Sequence, residues 1–175
     1  MFSFITALRM KWLAYRLRST DLNILSRAIH GLGQLKDPRV VSLLLPFLDA
    51  PSPSVRYATA GALGNTGEKA AIDPLFTAHS VETDAFVKLQ MAIALVNLGD
   101  LSSFASLVAD VVTIDEEGKE DWDGAEQIAY EIAKNFDTKA LSVLEDSISH
   151  PNHTVRWISV MALGDIQDAT SVRLL

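Results

Sequence analysis

An all-α fold of stacked helical hairpins, about five units with the first and last incomplete, is predicted from three observations. A ten-residue stretch, Val55 to Gly64 (VRYATAGALG), returns a hundred residues later as Val155 to Gly164 (VRWISVMALG). Looser copies stand at Val87 to Val96 and at Ile24 to Gly33. Between the copies the chain is punctuated by Gly- and Pro-containing turns at intervals that give a period of about 31–32 residues, and a period of that size marks a stacked helical array. Hydrophobic residues make up 49% of the 175, so each unit has enough apolar surface to bury against its neighbours. On this pattern residues 1–175 are one repeat domain. It has a half repeat at 1–21, repeats at about 22–54, 55–86, 87–124 and 125–154, and a partial repeat at 155–175.

The first segment carries Arg9, Lys11, Arg16 and Arg18 and no acid. At 100° per residue Ile5, Leu8, Trp12 and Tyr15 share one face, and Met10, Leu13 and Leu17 share a second. Basic residues with Trp suit a membrane-surface helix. The better expectation is the second helix of a partial repeat, apolar on two sides because it packs on two neighbours.

The next helix is expected to end near Gly31 or Gly33. Asp37 and Pro38 then open another, the Asp as cap and the Pro at its first position, and Pro46 should bend or shorten it. Residues 50–54 (APSPS) are predicted as a non-helical turn, with Ser54 capping a helix from Val55. Ala58, Ala60, Gly61 and Ala62 leave that helix little bulk, so neighbours can approach it closely. The helix from Ala70 to Ala78 tolerates Pro74 only if it begins near Ala71. A third unit starts at Val87, and its second helix spans Leu101 to Val112. There the period breaks at Asp115 to Gly124 (DEEGKEDWDG), a solvated acidic loop that offers Trp122 as a partner-facing anchor. A fourth unit, from Gln127 to Phe136 and Thr138 to Ser149, and the turn at His150 to Thr154 precede the last copy. The final residues, Ala169 to Leu175, stop part-way through a helix whose apolar face would want further repeats or a partner.

The net charge of −7 is unevenly spread: residues 1–56 carry +5 and the rest −12. The overall sign argues against nucleic acid, whose binding draws on phosphate neutralisation, while the asymmetry can steer a charged partner or favour head-to-tail association. No cysteine is present, so no thiol chemistry, thiolate metal site or disulfide is available. With no secretory signal and no apolar run of membrane-spanning length, the expected location is cytoplasmic.

Val-Arg, alanines one turn on, Ala-Leu-Gly, a Gly-Asp/Glu turn and then A-I-x-P-L resemble the HEAT-like repeat of the phycobilisome lyase type. Val55, Arg56, Ala58, Ala62, Leu63, Gly64, Gly67, Ala71, Ile72, Pro74 and Leu75 carry the likeness, and Val155, Arg156, Ala162, Leu163, Gly164 and Asp165 repeat its first half. The resemblance implies a right-handed α-solenoid, first helices convex and second helices concave. It also implies an Asp before each Val-Arg pair that bonds the backbone or the Arg. Asp49 fills that place before Arg56, whereas Ser149 stands there before Arg156.

Among enzymes of related repeats, deoxyhypusine hydroxylase binds iron through His-Glu pairs, and no His here precedes Glu. HEAT-like DNA glycosylases need a basic channel, which the charge opposes. Phycobilin lyase subunits, which bind a tetrapyrrole and a phycobiliprotein, stay as the alternative. His150 and His153 lack a companion carboxylate and make a poor metal pair. The acidic insertion also fails the spacing of a calcium loop. No metal or cofactor is therefore expected.

On the second helices Arg39 and Ser42 lie opposite the apolar face. One repeat on, Asp73 and Thr77 take the places of Ser42 and Pro46, and two further units along Lys139, Ser142 and Asp146 do so roughly. Ala105 and Ala109 make the middle smooth. Polar walls around a smooth floor suit a peptide or a protein helix. The sequence reading is thus a non-enzymatic scaffold that binds a protein partner through this face or the acidic loop.

Overall fold

A computed structural model describes residues 2–100, 105, 109, 113–114, 120–136 and 141–166. The chain divides into two compact units, Met1–Leu98 and Gly99–Leu175.

In the first unit α1 spans Phe2–Arg16, α2 Leu22–Gly33, α3 Arg39–Leu44, α4 Pro53–Thr66, α5 Ile72–Val81 and α6 Ala85–Asn97. Single 3-10 turns follow α3 (Leu45–Phe47) and precede α5 (Lys69–Ala71). Pro46 ends α3, as a residue without an N–H must, and Pro74 sits in the first turn of α5 where its missing donor costs nothing. Helices α2, α4 and α6 pack in succession, with α3 against α4 and α5 against α6. Their buried faces hold Ile29, Leu32, Leu44, Leu63, Leu75, Met91 and Leu95. Each contributes roughly 1.5–3 kcal/mol by leaving water.

Close packing comes from the small residues of the repeated stretch. A Cβ on Gly33 would fall 2.7 Å from Ala62 Cα, and one on Gly64 would fall 2.8 Å from Ala94 Cα. The first helices of successive repeats therefore touch backbone to backbone. Gly67, at φ +73°, then turns the chain out of α4.

Asp37 accepts from the Arg39 N–H, but Pro38 rather than Asp37 stands at the cap position, so α3 begins at Arg39 and not at Pro38 as expected. The stretch at residues 50–54 is a correction: α4 begins at Pro53, with Ser52 rather than Ser54 at its cap position. Proline at the first helical position gives up only a donor that would have no partner, so the turn can become helical there. Helix α1 is a second correction. It packs on α2 through Leu13, which lies over Gly31, but leaves Ile5, Leu8, Trp12 and Tyr15 exposed.

In the second unit α7 spans Asp123–Phe136, α8 Leu141–Ser147 and α9 His153–Asp165, with α9 packed on both others. Ile128, Ile132, Leu144 and Ile158 form its core. Strand pairing, which the sequence reading excludes, occurs once among the described residues: β1 (Thr113–Ile114) pairs antiparallel with β2 (Glu120–Asp121). Two residues a side, one strand just before the insertion and one inside it, leave the fold all-α. The predicted helix from Leu101 to Val112 and the closing helix from Ala169 to Leu175, with its call for a further neighbour, fall almost wholly or wholly outside the described residues.

Asn152 caps α9, its side-chain oxygen accepting from the N–H groups of Thr154 (2.8 Å) and Val155 (3.2 Å). Its amide also donates to the Ala109 carbonyl at 3.1 Å. Asn152→Ala removes all three bonds and is expected to cost about 1–2 kcal/mol, read as a lower midpoint in urea unfolding.

Candidate functional site: a groove between second helices

In each of the two strong copies of the repeat one arginine ties down the turn before its own helix. Arg56 sends Nη1 to the carbonyls of Ala50 (2.9 Å) and Pro51 (3.3 Å), tying down the turn before its own helix. Arg156 does the same with His150 and Pro151, both at 2.8 Å. At the same register Thr59 and Ser159 bury their hydroxyls by donating to the carbonyls of Val55 and Val155, each at 2.7 Å. The two strongest copies of the repeat thus share these individual hydrogen bonds, although Ser149 replaces the acid in the second.

Asp49 does not hold Arg56, and that expectation is corrected. The guanidinium makes a bidentate pair with Glu82, Nε to Oε2 and Nη2 to Oε1, both at 2.8 Å. Glu82 stands on the turn that opens the next repeat, where its Oε1 also accepts from the N–H groups of Thr83 and Asp84. Asp49, exposed at the preceding turn, is out of this network because the planar fork of Arg56 already faces the better-buried carboxylate. The Arg56 guanidinium, hydrogen-bonded to it, holds the Glu82 carboxyl below its usual range, against desolvation and with help from the two N–H groups.

Beside this clamp runs an open groove between the end of α3 and α5. One stretch of about 440 Å³ is lined by Leu45, Leu48, Asp49, Asp73, Pro74, Thr77, Ala78 and Val81. A neighbouring stretch of about 320 Å³ shares Leu48, Asp49, Ala78 and Val81 and ends at Arg56 and Glu82. Its floor is apolar, and its acceptors are the carboxylates of Asp49 and Asp73.

The structure brings two of the sequence-derived binding residues, Asp73 and Thr77, into this groove. The Thr77 hydroxyl donates to the Asp73 carbonyl at 2.9 Å. Arg39 and Ser42 lie one turn away and do not line it. Arg39 pairs with Asp37 (2.6 Å), lowering that carboxyl to about 2, mainly through the side-chain hydrogen bond, and Ser42 donates to the Arg39 carbonyl. Ser142 and Asp146 are exposed on α8 in the other unit. Trp122 is not a free anchor. Half-buried, it packs its ring 4.9 Å from Trp157 and 5.6 Å from His153, because an indole gains more from aromatic neighbours than from water. His153 is thereby drawn into a ring contact, and no group of three or more metal-ligating side chains occurs among the described residues.

Leu48, Val81 and Glu82 were not foreseen as lining residues. Glu82 had a signal: it precedes Val87-Lys88 much as Asp49 precedes Val55-Arg56.

Hairpins stacked at a regular period, with their first helices in backbone contact and their second helices bordering a groove, define a helical repeat protein. The chain belongs to the HEAT repeat family, whose model matches residues 10–109. No curated protein matches the sequence. A solved structure, the complex of CpcE and CpcF of phycocyanin lyase from Nostoc sp. PCC7120, contains a chain of similar fold with a TM-score of 0.63 and 20% identity. The alignment covers 94% of this chain and 68% of that one. Human deoxyhypusine hydroxylase in complex with glycerol aligns with a TM-score of 0.49 and 14% identity, over 94% of this chain and 76% of that one.

The first of these likenesses overturns the expectation of a non-enzymatic chain. The same fold, over nearly the whole of this chain, occurs in a phycocyanin lyase complex. The exclusion had relied on the lack of a nucleophile or metal set, yet bringing two reactants together in the right geometry requires neither. Among the described residues no helix is long and apolar enough to cross a membrane.

Proposed function

We propose that this chain is a subunit of a bilin-lyase-type assembly. It holds an open-chain tetrapyrrole in the groove between α3 and α5 and presents it to a protein partner that receives the chromophore. The observation that carries this reading is the fold shared over 94% of the chain with a phycocyanin lyase chain. The groove supports it chemically. Pyrrole N–H groups are donors and need acceptors, which Asp49 and Asp73 supply beside an apolar floor of Leu45, Leu48, Pro74 and Val81. Thr77 adds a hydroxyl oxygen on the same wall. The chain's contribution to reaction is positioning, worth several kcal/mol when reactants are held in line. Arg39, Ser42, Ser142 and Asp146 are proposed as protein contacts.

Titration of the purified chain with biliverdin, followed by induced circular dichroism in the visible, tests the groove. Saturable binding is expected, with Asp73→Asn weakening it about tenfold through loss of a charge-assisted hydrogen bond. No induced signal at any bilin concentration would sink the tetrapyrrole reading. Co-expression with a phycocyanin subunit and a bilin source tests the lyase reading by in-gel fluorescence of the denatured subunit. Bilin attachment that does not depend on this chain would count against it.

A further inference from the structure

We infer that the chain associates with a second copy of itself by docking the exposed face of α1 into an acidic groove between α7 and α9 of the other copy. The inference does not depend on the bilin reading.

The donor surface is α1. Ile5 (63% exposed), Leu8 (60%), Trp12 (55%) and Tyr15 (71%) form one stripe on the side away from Leu13, which is buried against α2. At 100° per residue Arg9 and Arg16 flank the stripe on one side and Lys11 on the other, and no acid occurs in residues 1–20. The Arg16 guanidinium lies 4.6 Å from the Trp12 ring centre, so charge and apolar surface form one patch.

The acceptor surface has the opposite character. A groove of about 510 Å³ on the second unit is lined by Asp123, Glu126, Gln127, Ala129, Tyr130, Met161 and Asp165. Three carboxylates therefore surround a floor on which Tyr130 is 55% and Met161 40% exposed. Among the described residues no Lys or Arg lines it. Lys134, near the Tyr130 ring, is paired with Glu131. A basic rim around an apolar stripe thus meets an acidic rim around an apolar floor, and both sit on the same chain. Complementary rims speed and orient association while the desolvated centre supplies affinity. An acidic phospholipid surface would satisfy α1 but would leave the acidic groove without a role. The two patches differ, so the contact is heterologous rather than a patch meeting its own copy.

Sedimentation velocity across micromolar concentrations provides the test, using Trp12→Ala/Tyr15→Ala and Glu126→Lys/Asp165→Lys. All four residues are exposed, and matching melting curves would confirm that the variants fold. Wild type is expected to assemble with rising concentration and to fall apart as salt increases. Each double variant alone should weaken assembly about tenfold or more, the cost of losing an aromatic anchor or reversing a rim. Their equimolar mixture should form dimers, since it pairs one intact α1 with one intact groove. A monomeric wild type overturns the inference, whether or not it sediments with phosphatidylserine vesicles. Retained assembly of the groove variant overturns it too, by placing α1 against α1.

Discussion

Gly64→Ala should destabilise the first unit by about 2–3 kcal/mol, although alanine is the better helix former by about 1 kcal/mol. The new Cβ would stand 2.8 Å from Ala94 Cα and 2.9 Å from Ala94 Cβ, against a neighbouring backbone that no rotamer change can clear. Helices α4 and α6 must move apart, and Leu63, Met91 and Leu95 then lose contacts made at full burial. Gly33→Ala is expected to act alike through Ala62, whose Cα and carbonyl oxygen would both lie 2.7 Å from the added carbon. Gly61→Ala is the control. Its Cβ meets only the end of the Gln90 side chain at 3.3 Å, so the helix gain should leave stability unchanged or slightly raised. Hydrogen exchange read peptide by peptide gives the answer where two units need not melt together. Protection across residues 53–66 and 85–97 should fall in Gly64→Ala and hold in Gly61→Ala. Equal protection in the two variants would refute the close-packing account.

Much of this stacking was legible in the letters. Leu-Gly at 32–33 and again at 63–64 recurs because each Gly faces the next first helix, and a period of about 31 residues returns it to the same place. The ends of helices were readable wherever one residue acts alone, as with Pro46 and Gly67. Pro53 misled because proline forbids a helix interior but not its first turn, and the sequence does not state which of these a given proline occupies. Helix α1 misled differently. Two apolar faces specify that both want cover, not that one chain supplies it. Of the groove, Asp73 and Thr77 were readable as polar positions opposite an apolar face. Val81 and Leu48 were not, because a lining residue is defined by the gap between two helices. Trp122 shows the same limit, since nothing in an acidic loop announces the Trp157 and His153 that receive its ring.

The acid of the repeat carried its own ambiguity, and its resolution sets the second large effect. An acid stands before each of two successive repeats, Asp49 and Glu82, and Arg56 follows the first. Asp49 is the nearer acid along the chain, but the guanidinium reaches forward to Glu82 and so fastens two successive turns together. The pair is well covered, with side-chain exposures of 17% for Arg56 and 4% for Glu82. Arg56→Met keeps the apolar stem but leaves a buried carboxylate without its cation, and is expected to cost about 3–5 kcal/mol. Adding Glu82→Gln should recover part of that loss, since a neutral amide avoids the stranded charge. The pH dependence provides an independent reading. Glu82 folds with its carboxyl below the usual value, chiefly through the Arg56 hydrogen bond, so the unfolded chain holds the proton more tightly. Its contribution to stability is therefore complete above the unfolded value near 4.3 and drains away as pH falls through the folded value. Urea midpoints of the wild type should decline over that acid range, and Arg56→Met should show a shallower decline from a lower start. A variant as stable as wild type at neutral pH, or one with an unchanged acid slope, would return Arg56 to a mere turn contact and leave Glu82 to its two backbone hydrogen bonds.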